Sequence, residues 1–345
     1  MATFVIAGAS LAGAKATETL RDEGFDGQIV LLGTETERPY ERPPLSKGYL
    51  LGNEELDVVY VHPEGWYAEH DVDLRMGVTV TGIDRAASAV ITSDDSTFHY
   101  DKLLLSTGAS PRRLSFPGSD RPEVLYLRTV QDSERLRAAF QEGPRVVVAG
   151  AGWIGLETTA AARSYGCPVT VLEPQPGALQ EQLGPELGAV FADLHRSHDV
   201  QFRFGERAVE FRPGMVITSG GAEVPADVLV VGIGAAPNDD HSGTELDRLL
   251  SEAELHTVVP MQLCEHRTEL GAELVVQRAR LRLEHGHRAL GGAGGRGGLQ
   301  ADPAGPGHHD PGARLKGRTE PVGVGDRAEV EHLLAVGAGK VEAAR

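Results

Sequence analysis

Two glycine-rich turns, each lying between a short apolar run and a helix-like stretch, constrain the fold of this chain more than any other feature. The first turn is GASLAG at residues 8–13, after the run FVIA, and the second is GAGWIG at residues 150–155, after VVVA. A strand that ends in such a turn and continues into a helix is the first half of a βαβ unit that binds a dinucleotide. Two such units predict an α/β fold with two Rossmann-like dinucleotide-binding domains.

The first turn departs from the Gly-x-Gly-x-x-Gly fingerprint at one position. Gly8 and Gly13 occupy the outer glycine positions, and Ser10 stands where the middle glycine approaches a pyrophosphate most closely. Serine is small enough to be tolerated there. The next apolar run is followed by Glu35, which we expect to accept ribose hydroxyls at the end of the second strand. A glycine-rich turn without a ligand is the alternative interpretation.

The second turn carries the complete fingerprint, with Gly150, Gly152 and Gly155. The following apolar run, PVTVLEP, ends in Glu173, about 20 residues further on, as recognition of a ribose requires. An acid at this position favours NAD over NADP, because it repels a 2′-phosphate. The second unit is therefore predicted to bind NAD(H).

Five segments in a fixed order carry a resemblance to a known family. They are GASLAG, ERPYERPPLSK at 37–47, YDKLLLSTGASPR at 100–112, GAGWIGLE at 150–157 and PADVLVVGIGAAPN at 225–238. Together they resemble the ferredoxin-reductase branch of the two-dinucleotide-binding flavoproteins, over about residues 4–238. The resemblance implies an FAD-binding domain that begins in residues 1–112, an NAD-binding domain at 113–238, and a C-terminal interface domain.

The same resemblance assigns cofactors and roles. It implies FAD at the first fingerprint, NADH at the second, and a small ferredoxin-type iron–sulfur protein of an oxygenase system as electron acceptor. Residues 36–52 contain no cysteine, so electrons cannot leave through a protein disulfide in this segment. The resemblance places Lys47 near the reactive flavin nitrogen, pairs it with Glu157, and puts Arg128 close to the flavin. A fixed positive charge from Lys47 would stabilise the reduced flavin.

Simpler interpretations exist for these charged residues. Lys47 could belong to a rigid proline-rich surface turn, Glu157 could complement a helix N-terminus, and Arg128 could be an ordinary loop cation. We predict Lys47 and Glu157 as catalytic residues, and we predict no metal site. The predicted cofactor-binding residues are Gly8, Ser10, Ala12, Gly13, Glu35, Arg42, Pro44, Lys47, Thr107, Gly108, Arg128, Gly150, Gly152, Ile154, Gly155, Glu157, Glu173 and Gly234.

Composition excludes several classes of partner. The formal charge of −17 argues against nonspecific binding to nucleic acid. No stretch reaches the roughly 20 apolar residues of a membrane span, and the first residues lack the pattern of a secretory signal. The two cysteines, Cys167 and Cys264, lie far apart and suggest a reducing compartment, so we expect a cytoplasmic protein.

Residues 239–345 do not fit the resemblance. They contain no aromatic residue, isoleucine or asparagine, and include glycine- and proline-rich stretches typical of loops or disorder, such as GGAGGRGG at 291–298. The Gly-Asp pair that binds the flavin's ribityl chain in the family has no recognisable counterpart, since Gly325-Asp326 lies too far downstream. The histidines of this region match no zinc pattern. Two interpretations remain open for this atypical tail, an out-of-frame translation and a divergent segment that serves another partner.

Three functions are compatible with the sequence. The leading prediction is an NADH-dependent, FAD-containing ferredoxin reductase. The second is an NADH oxidase or quinone-type reductase, although the redox cysteine of one oxidase branch is missing from residues 36–52. The third is an inactive nucleotide-binding protein, which the atypical tail favours.

Overall fold

A computed structural model describes residues 1–238 of the chain. The predictions made for residues 239–345, including both interpretations of the tail, lie outside the described residues. Within residues 1–238, no helix is both long enough and apolar enough to cross a membrane.

The described residues contain both strands and helices, with helices between several of the successive strands. The first strands are β1 (Thr3–Ala7), β2 (Gln28–Gly33), β3 (Val72–Met76), β4 (Val80–Asp84), β5 (Ala89–Thr92), β6 (Thr97–His99), β7 (Lys102–Leu105), β8 (Ala109–Pro111) and β9 (Val124–Tyr126). The later strands are β10 (Val146–Ala149), β11 (Val169–Glu173), β12 (Val200–Phe204), β13 (Ala208–Arg212), β14 (Met215–Thr218), β15 (Glu223–Pro225), β16 (Val228–Val231) and β17 (Ala235–Pro237). The α-helices are α1 (Leu11–Asp22), α2 (Gly48–Leu51), α3 (Trp66–Glu69), α4 (Val130–Gln141), α5 (Trp153–Ser164) and α6 (Gln180–Arg196), and 3₁₀ turns span Pro43–Ser46 and Leu56–Val58.

The first sheet is parallel, with the strand order β3-β2-β1-β7. Its central strands are short runs of large apolar residues, typical of strands covered on both faces. On one face Ile6 and Leu31 belong to a cluster that includes side chains of α1. On the other face Val5 and Val30 pack with Val90 of the antiparallel sheet β4-β5-β6.

The second sheet is also parallel and has the order β12-β11-β10-β16-β9. Strands β10 and β16 are buried along their whole length, which explains the uninterrupted runs VVVA and VLVV. The antiparallel sheet β13-β14-β15 packs on one face, where Phe211 and Val216 meet Val147 and Leu229. The prediction of an α/β fold with two Rossmann-like sheets is confirmed.

The two crossings between the sheets lie side by side. Strand β8, on the way out of the first sheet, pairs antiparallel with β17, which follows the second sheet. Asn238 reinforces the pairing, because its backbone N–H donates to Gly108 O at 2.8 Å and its side-chain amide donates to Thr107 O at 2.9 Å. The two segments of chain that cross between the sheets are therefore joined to each other.

The segment after β2 is buried against helices of the second sheet. Leu45 and Leu50, both almost fully buried, share one apolar cluster with Leu136 and Phe140 of α4 and Leu156 of α5. Residues that lie between two strands of the first sheet, β2 and β3, thus complete the core of the second sheet. The stretch that contains ERPYERPPLSK is consequently an internal contact rather than a free surface turn.

Candidate functional site

The first glycine-rich turn connects β1 to α1, and its outer glycines are required by close backbone contacts. Gly8 has a φ of +123°, and a Cβ built on it would lie 2.1 Å from the backbone oxygen of Ser106. A Cβ on Gly13 would lie 2.0 Å from the backbone oxygen of Gly8. Any larger residue at either position would force the strand and the helix apart.

Ser10, the departure from the fingerprint, fits the turn without strain. Its φ and ψ of −122° and −167° are extended values that any residue adopts. Ser10 precedes α1 as its N-cap, yet its side chain makes no capping hydrogen bond in the described chain. The backbone N–H groups at the start of α1, where Ala12 lies, therefore remain suited to an anion.

The second turn connects β10 to α5 in the same manner. Gly150 has a φ of +102°, and a Cβ on it would lie 2.4 Å from the backbone oxygen of Gly232. A Cβ on Gly155 would lie 2.1 Å from the backbone oxygen of Gly150. Gly152 differs, because a Cβ there would meet no other described atom within 4 Å. The missing side chain at Gly152 leaves an open cradle at a helix N-terminus, which fits a pyrophosphate.

Both turns lie where the strand order of their sheet reverses. The first lies between β1 and β7, close to Thr107 and Gly108, and the second between β10 and β16, close to Gly234. Ligands of open α/β sheets bind in the crevice at such a switch point, outside the carboxyl ends of the strands. The described residues therefore place two crevices at positions that suit a dinucleotide.

The two acids predicted to bind ribose have different surroundings. Glu173, at the end of β11, accepts hydrogen bonds from the backbone N–H of Ala151 at 2.7 Å and of Gln175 at 2.8 Å. These bonds hold the carboxylate beside the second fingerprint. Glu35, after β2, is bonded instead to two side chains, since Arg42 donates to Oε1 at 2.7 Å and Tyr40 donates to Oε2. The ribose roles of both acids remain predictions.

Arg42 joins the end of β2 to the loop after β9. Besides its ion pair with Glu35, its Nη1 donates to the hydroxyl oxygen of Tyr40 at 3.0 Å and to the carbonyl oxygen of Arg128. Burial raises the pKa of Tyr40 well above its ordinary value, although the charge of Arg42 opposes the shift. Tyr40 is therefore a neutral donor, and Arg42 links the backbone of Arg128 to Glu35 and Tyr40.

Lys47 and Glu157 meet where the segment after β2 contacts α5. Lys47 follows the 3₁₀ turn, and its ammonium nitrogen lies 2.9 Å from Oε1 of Glu157 in α5. The lysine side chain is about half exposed, whereas only 25% of the Glu157 side chain is exposed. Pro44 fixes the turn, since its carbonyl oxygen accepts the backbone N–H of Lys47 at 3.0 Å.

Ile154 shares the face of α5 that carries Glu157, three residues later in the helix. Ile154 is 42% exposed. An apolar side chain next to an ion pair at this point suits a flat aromatic ring with a polar edge, such as a nicotinamide.

Sequence reasoning missed Ser46 as a member of the site. Its hydroxyl is almost completely buried and donates to Oε2 of Glu157. Ser46 directly precedes Lys47 in the quoted segment, but its burial against α5 depends on a contact with the second sheet's helices. No local pattern reports such a contact.

Comparisons with known proteins agree with this geometry. A family model described as pyridine nucleotide-disulphide oxidoreductase matches residues 2–260, so the similarity continues past residue 238. Rhodocoxin reductase of Rhodococcus erythropolis is 39% identical over 241 residues, which are 68% of this chain and 56% of the relative. The anthranilate 1,2-dioxygenase system ferredoxin–NAD(+) reductase component of Burkholderia cepacia is 40% identical over 239 residues, 68% of this chain and 59% of the relative.

A solved structure supports the same assignment. The covalent putidaredoxin reductase–putidaredoxin complex matches with a TM-score of 0.67 and 34% identity, over 69% of this chain and 60% of the matched chain. The chain thus spans less than two thirds of the length of these relatives. The resemblance to ferredoxin reductases is confirmed, and the chain belongs to the pyridine nucleotide-disulphide oxidoreductase family.

Proposed function

We propose that this chain carries the nucleotide-binding part of an NADH-dependent, FAD-containing ferredoxin reductase. The observation that carries the proposal is the ion pair of Lys47 and Glu157, which joins the segment beside the first crevice to the helix that opens the second. Residues 36–52 contribute Lys47 to this pair and contain no cysteine, so this segment carries a charged group and no redox-active dithiol. Such an arrangement favours a reductase that passes electrons to another protein.

The relatives support the choice of acceptor. Two of them are named rhodocoxin reductase and a ferredoxin–NAD(+) reductase component, and the matched structure is a complex of a reductase with putidaredoxin. By analogy with these named proteins, we propose a small iron–sulfur protein of an oxygenase system as the partner of this chain.

The chemistry that the cofactors supply when bound is hydride transfer from NADH to FAD and release of the electrons one at a time. The chain contributes binding and orientation. The crevice at Gly8–Gly13 would hold the FAD pyrophosphate, and the crevice at Gly150–Gly155 would hold that of NADH, each at a helix N-terminus. Glu173 would bind the adenosine ribose of NADH and discourage a 2′-phosphate.

Lys47 would act through its fixed positive charge. A cation held in place beside the flavin stabilises negative charge that develops on reduction, without any proton transfer. Glu157 holds the ammonium group in one position by the 2.9 Å contact and would orient the nicotinamide together with Ile154. Orientation of the two reacting rings is the main contribution that a protein makes to such a transfer.

The domain division is also part of the proposal. We propose residues 1–112 as the first part of an FAD-binding domain and residues 113–238 as an NAD-binding domain. The separate parallel sheets β3-β2-β1-β7 and β12-β11-β10-β16-β9 support it. A cytoplasmic location is proposed on the free, buried thiol of Cys167.

The test is an anaerobic absorption spectrum of the full chain reconstituted with FAD, recorded before and after addition of NADH. The proposal predicts flavin bands that bleach with NADH and much more slowly with NADPH, followed by reduction of an added ferredoxin. A chain that binds FAD but is bleached equally by both nucleotides contradicts the proposed specificity. A chain that cannot be loaded with FAD contradicts the proposal itself.

A further inference from the structure

The backbone of the segment that bears Lys47 is anchored by the helices of the second sheet. Ser133 of α4, fully buried, donates its hydroxyl hydrogen to the carbonyl oxygen of Leu45 at 2.8 Å. Arg137, one turn later, donates to the carbonyl oxygen of Tyr49, and the hydroxyl of Tyr165 donates to that of Leu50 at 2.9 Å. These contacts fix the path of residues 45–50, but none of them touches the charged end of Lys47.

Ser46 links that fixed backbone to the ion pair. Its hydroxyl oxygen lies 3.2 Å from the carbonyl oxygen of Pro43, 3.4 Å from Nζ of Lys47, and within hydrogen-bond distance of Oε2 of Glu157. A serine hydroxyl has one hydrogen to donate, and the ionised carboxylate is the stronger acceptor. Ser46 therefore donates to Glu157 and can accept from Lys47.

The ammonium group of Lys47 has all its hydrogen-bond acceptors in the same group of residues. Its three N–H donors have acceptors in Glu157 at 2.9 Å, the Ser46 hydroxyl at 3.4 Å and the Pro43 carbonyl at 3.5 Å. Glu157 uses one oxygen for Lys47 and the other for Ser46. The carboxylate is thereby held in one rotamer by two residues that are adjacent in the chain.

We propose that Ser46 is a positioning residue that orients Glu157. It thereby holds the Lys47–Glu157 ion pair in one geometry where the segment after β2 contacts α5. This inference rests on the proposed function for its significance, because the locked charge is the one proposed to face the flavin. Without the hydroxyl, Glu157 keeps enough exposure to turn its carboxylate toward water, and Lys47, about half exposed, would follow. The ion pair would then change from one geometry to several.

Ser46 does not act here as a spacer. A buried serine that only filled space could be replaced by alanine with little consequence, because alanine is slightly smaller and has no polar atom to satisfy. The replacement instead removes the donor to Oε2 of Glu157, so the carboxylate is free to turn toward water. The consequence should be local to the ion pair and should leave the helix contacts of Leu45 and Tyr49 unchanged.

The experiment is competitive trace acetylation of the native, cofactor-free chain, with peptide mass spectrometry to read each lysine. The chain has lysines at positions 15, 47, 102, 316 and 340, and Lys102 on an exposed position of β7 is the internal reference. The variants are Ser46→Ala, Ser46→Thr, which keeps the hydroxyl, and Ser133→Ala. Ser133→Ala is the matched control, because it removes a buried serine hydroxyl that binds the backbone of the same segment without touching the ion pair.

We expect Ser46→Ala to raise the labelling of Lys47 relative to Lys102 by about threefold or more, as expected for loss of one hydrogen bond. Ser46→Thr and Ser133→Ala should remain within the wild-type range. An unchanged ratio in Ser46→Ala overturns the inference, and so does an equal rise in Ser133→Ala, which would show general loosening of the segment. Thermal melts of each variant verify folding, and Ser46→Cys replaces Ser46→Ala if alanine prevents folding.

The outcome is independent of the proposed redox activity. Labelling reports the ion pair in the chain alone, so a negative result leaves reduction of FAD by NADH untouched. Suppose that NADH does not reduce the bound FAD but that Ser46→Ala still raises the labelling of Lys47. This result would overturn the proposed function and support the positioning role of Ser46.

Discussion

The ammonium nitrogen of Lys47 lies 2.9 Å from a carboxylate oxygen of Glu157, and this contact joins a residue from the first half of the described chain to one from the second. Each partner belongs to an element next to a different dinucleotide-binding crevice. Under the proposed function, this pair would face both cofactors. Its charge is preorganised, because both side chains have further partners in the protein.

Replacement of Lys47 by methionine should slow hydride transfer from NADH to bound FAD by about 100-fold or more, the order of loss seen when one preorganised electrostatic group is removed. The affinity for NADH should change much less, because the charge stabilises the reduced flavin rather than the nucleotide. Anaerobic stopped-flow reduction at several NADH concentrations separates the two effects. Lys102→Met, at an exposed position of β7, is the control and should behave like wild type. A Lys47→Met rate equal to that of the control would contradict the proposed role.

Glu173 should determine the choice between the two nicotinamide dinucleotides. Its carboxylate is held beside the second fingerprint by the backbone N–H groups of Ala151 and Gln175. Glu173→Gln should weaken NADH binding by about tenfold, through loss of charge-assisted bonds to the ribose, and should narrow the preference over NADPH. Binding titrations with both nucleotides measure the change. Asp227→Asn is the control. It also removes a carboxylate, but at the amino end of β16, and it should leave both affinities unaltered.

Two glycines of the second fingerprint should respond differently to alanine. Gly152 faces open space, so Gly152→Ala should fold normally and lose NADH affinity, because the added methyl group occupies the cradle. Gly155→Ala would place a carbon 2.1 Å from the backbone oxygen of Gly150, and should lower the thermal midpoint as well. Melting curves and nucleotide titrations of the two variants distinguish the roles. A Gly152→Ala variant with full affinity would argue against a pyrophosphate at this turn.

The local parts of this structure could be predicted from the sequence, and the contacts between distant segments could not. Gly8 and Gly150, both with positive φ, and the apolar runs before them form a local pattern that is typical of strand-turn-helix units, so the fold class was predictable. Lys47 and Glu157 were predicted as catalytic residues because of a family resemblance. The burial of Ser46, and the engagement of Glu35 by Arg42 and Tyr40, depend on side chains whose mutual positions are set only when the whole fold forms.

Acid should weaken the link between Arg145 and Asp227, which precede β10 and β16. Hydrogen bonds from the side chain and backbone of Arg145 lower the pKa of Asp227 to about 2, so the stabilisation is complete above the ordinary pKa and is lost as pH falls through about 2. Because the pair is largely exposed, Asp227→Asn should lower the thermal midpoint at pH 7 only slightly, by about 1–3 °C. Melts at pH 7, 5, 4 and 3 should show this difference narrowing below pH 4. A difference that grows with acid would contradict the assigned direction of the shift.

Leu50 should be as important to the second sheet's core as to the segment in which it lies. It is fully buried and belongs to the cluster that includes Leu136, Phe140 and Leu156, with Trp153 packed against it. Leu50→Ala should lower the free energy of unfolding by about 2–5 kcal/mol, the usual cost of such a cavity. The chain's two tryptophans, Trp66 beside the first sheet and Trp153 beside the second, make the location of the damage measurable.

Single-tryptophan variants, Trp66→Phe and Trp153→Phe, allow each side to be followed by fluorescence during urea unfolding. With the core shared, Leu50→Ala should lower the midpoint reported by Trp153 at least as much as that reported by Trp66. Leu31→Ala, a fully buried residue of β2 outside this cluster, is the matched control and should act first on Trp66. If Leu50→Ala lowered only the unfolding midpoint that Trp66 reports, the segment that bears Lys47 would not be part of the second sheet's core. The ion pair would then be held by its own contacts alone, and the preorganisation of Lys47 would have to come from Ser46, Pro43 and Glu157.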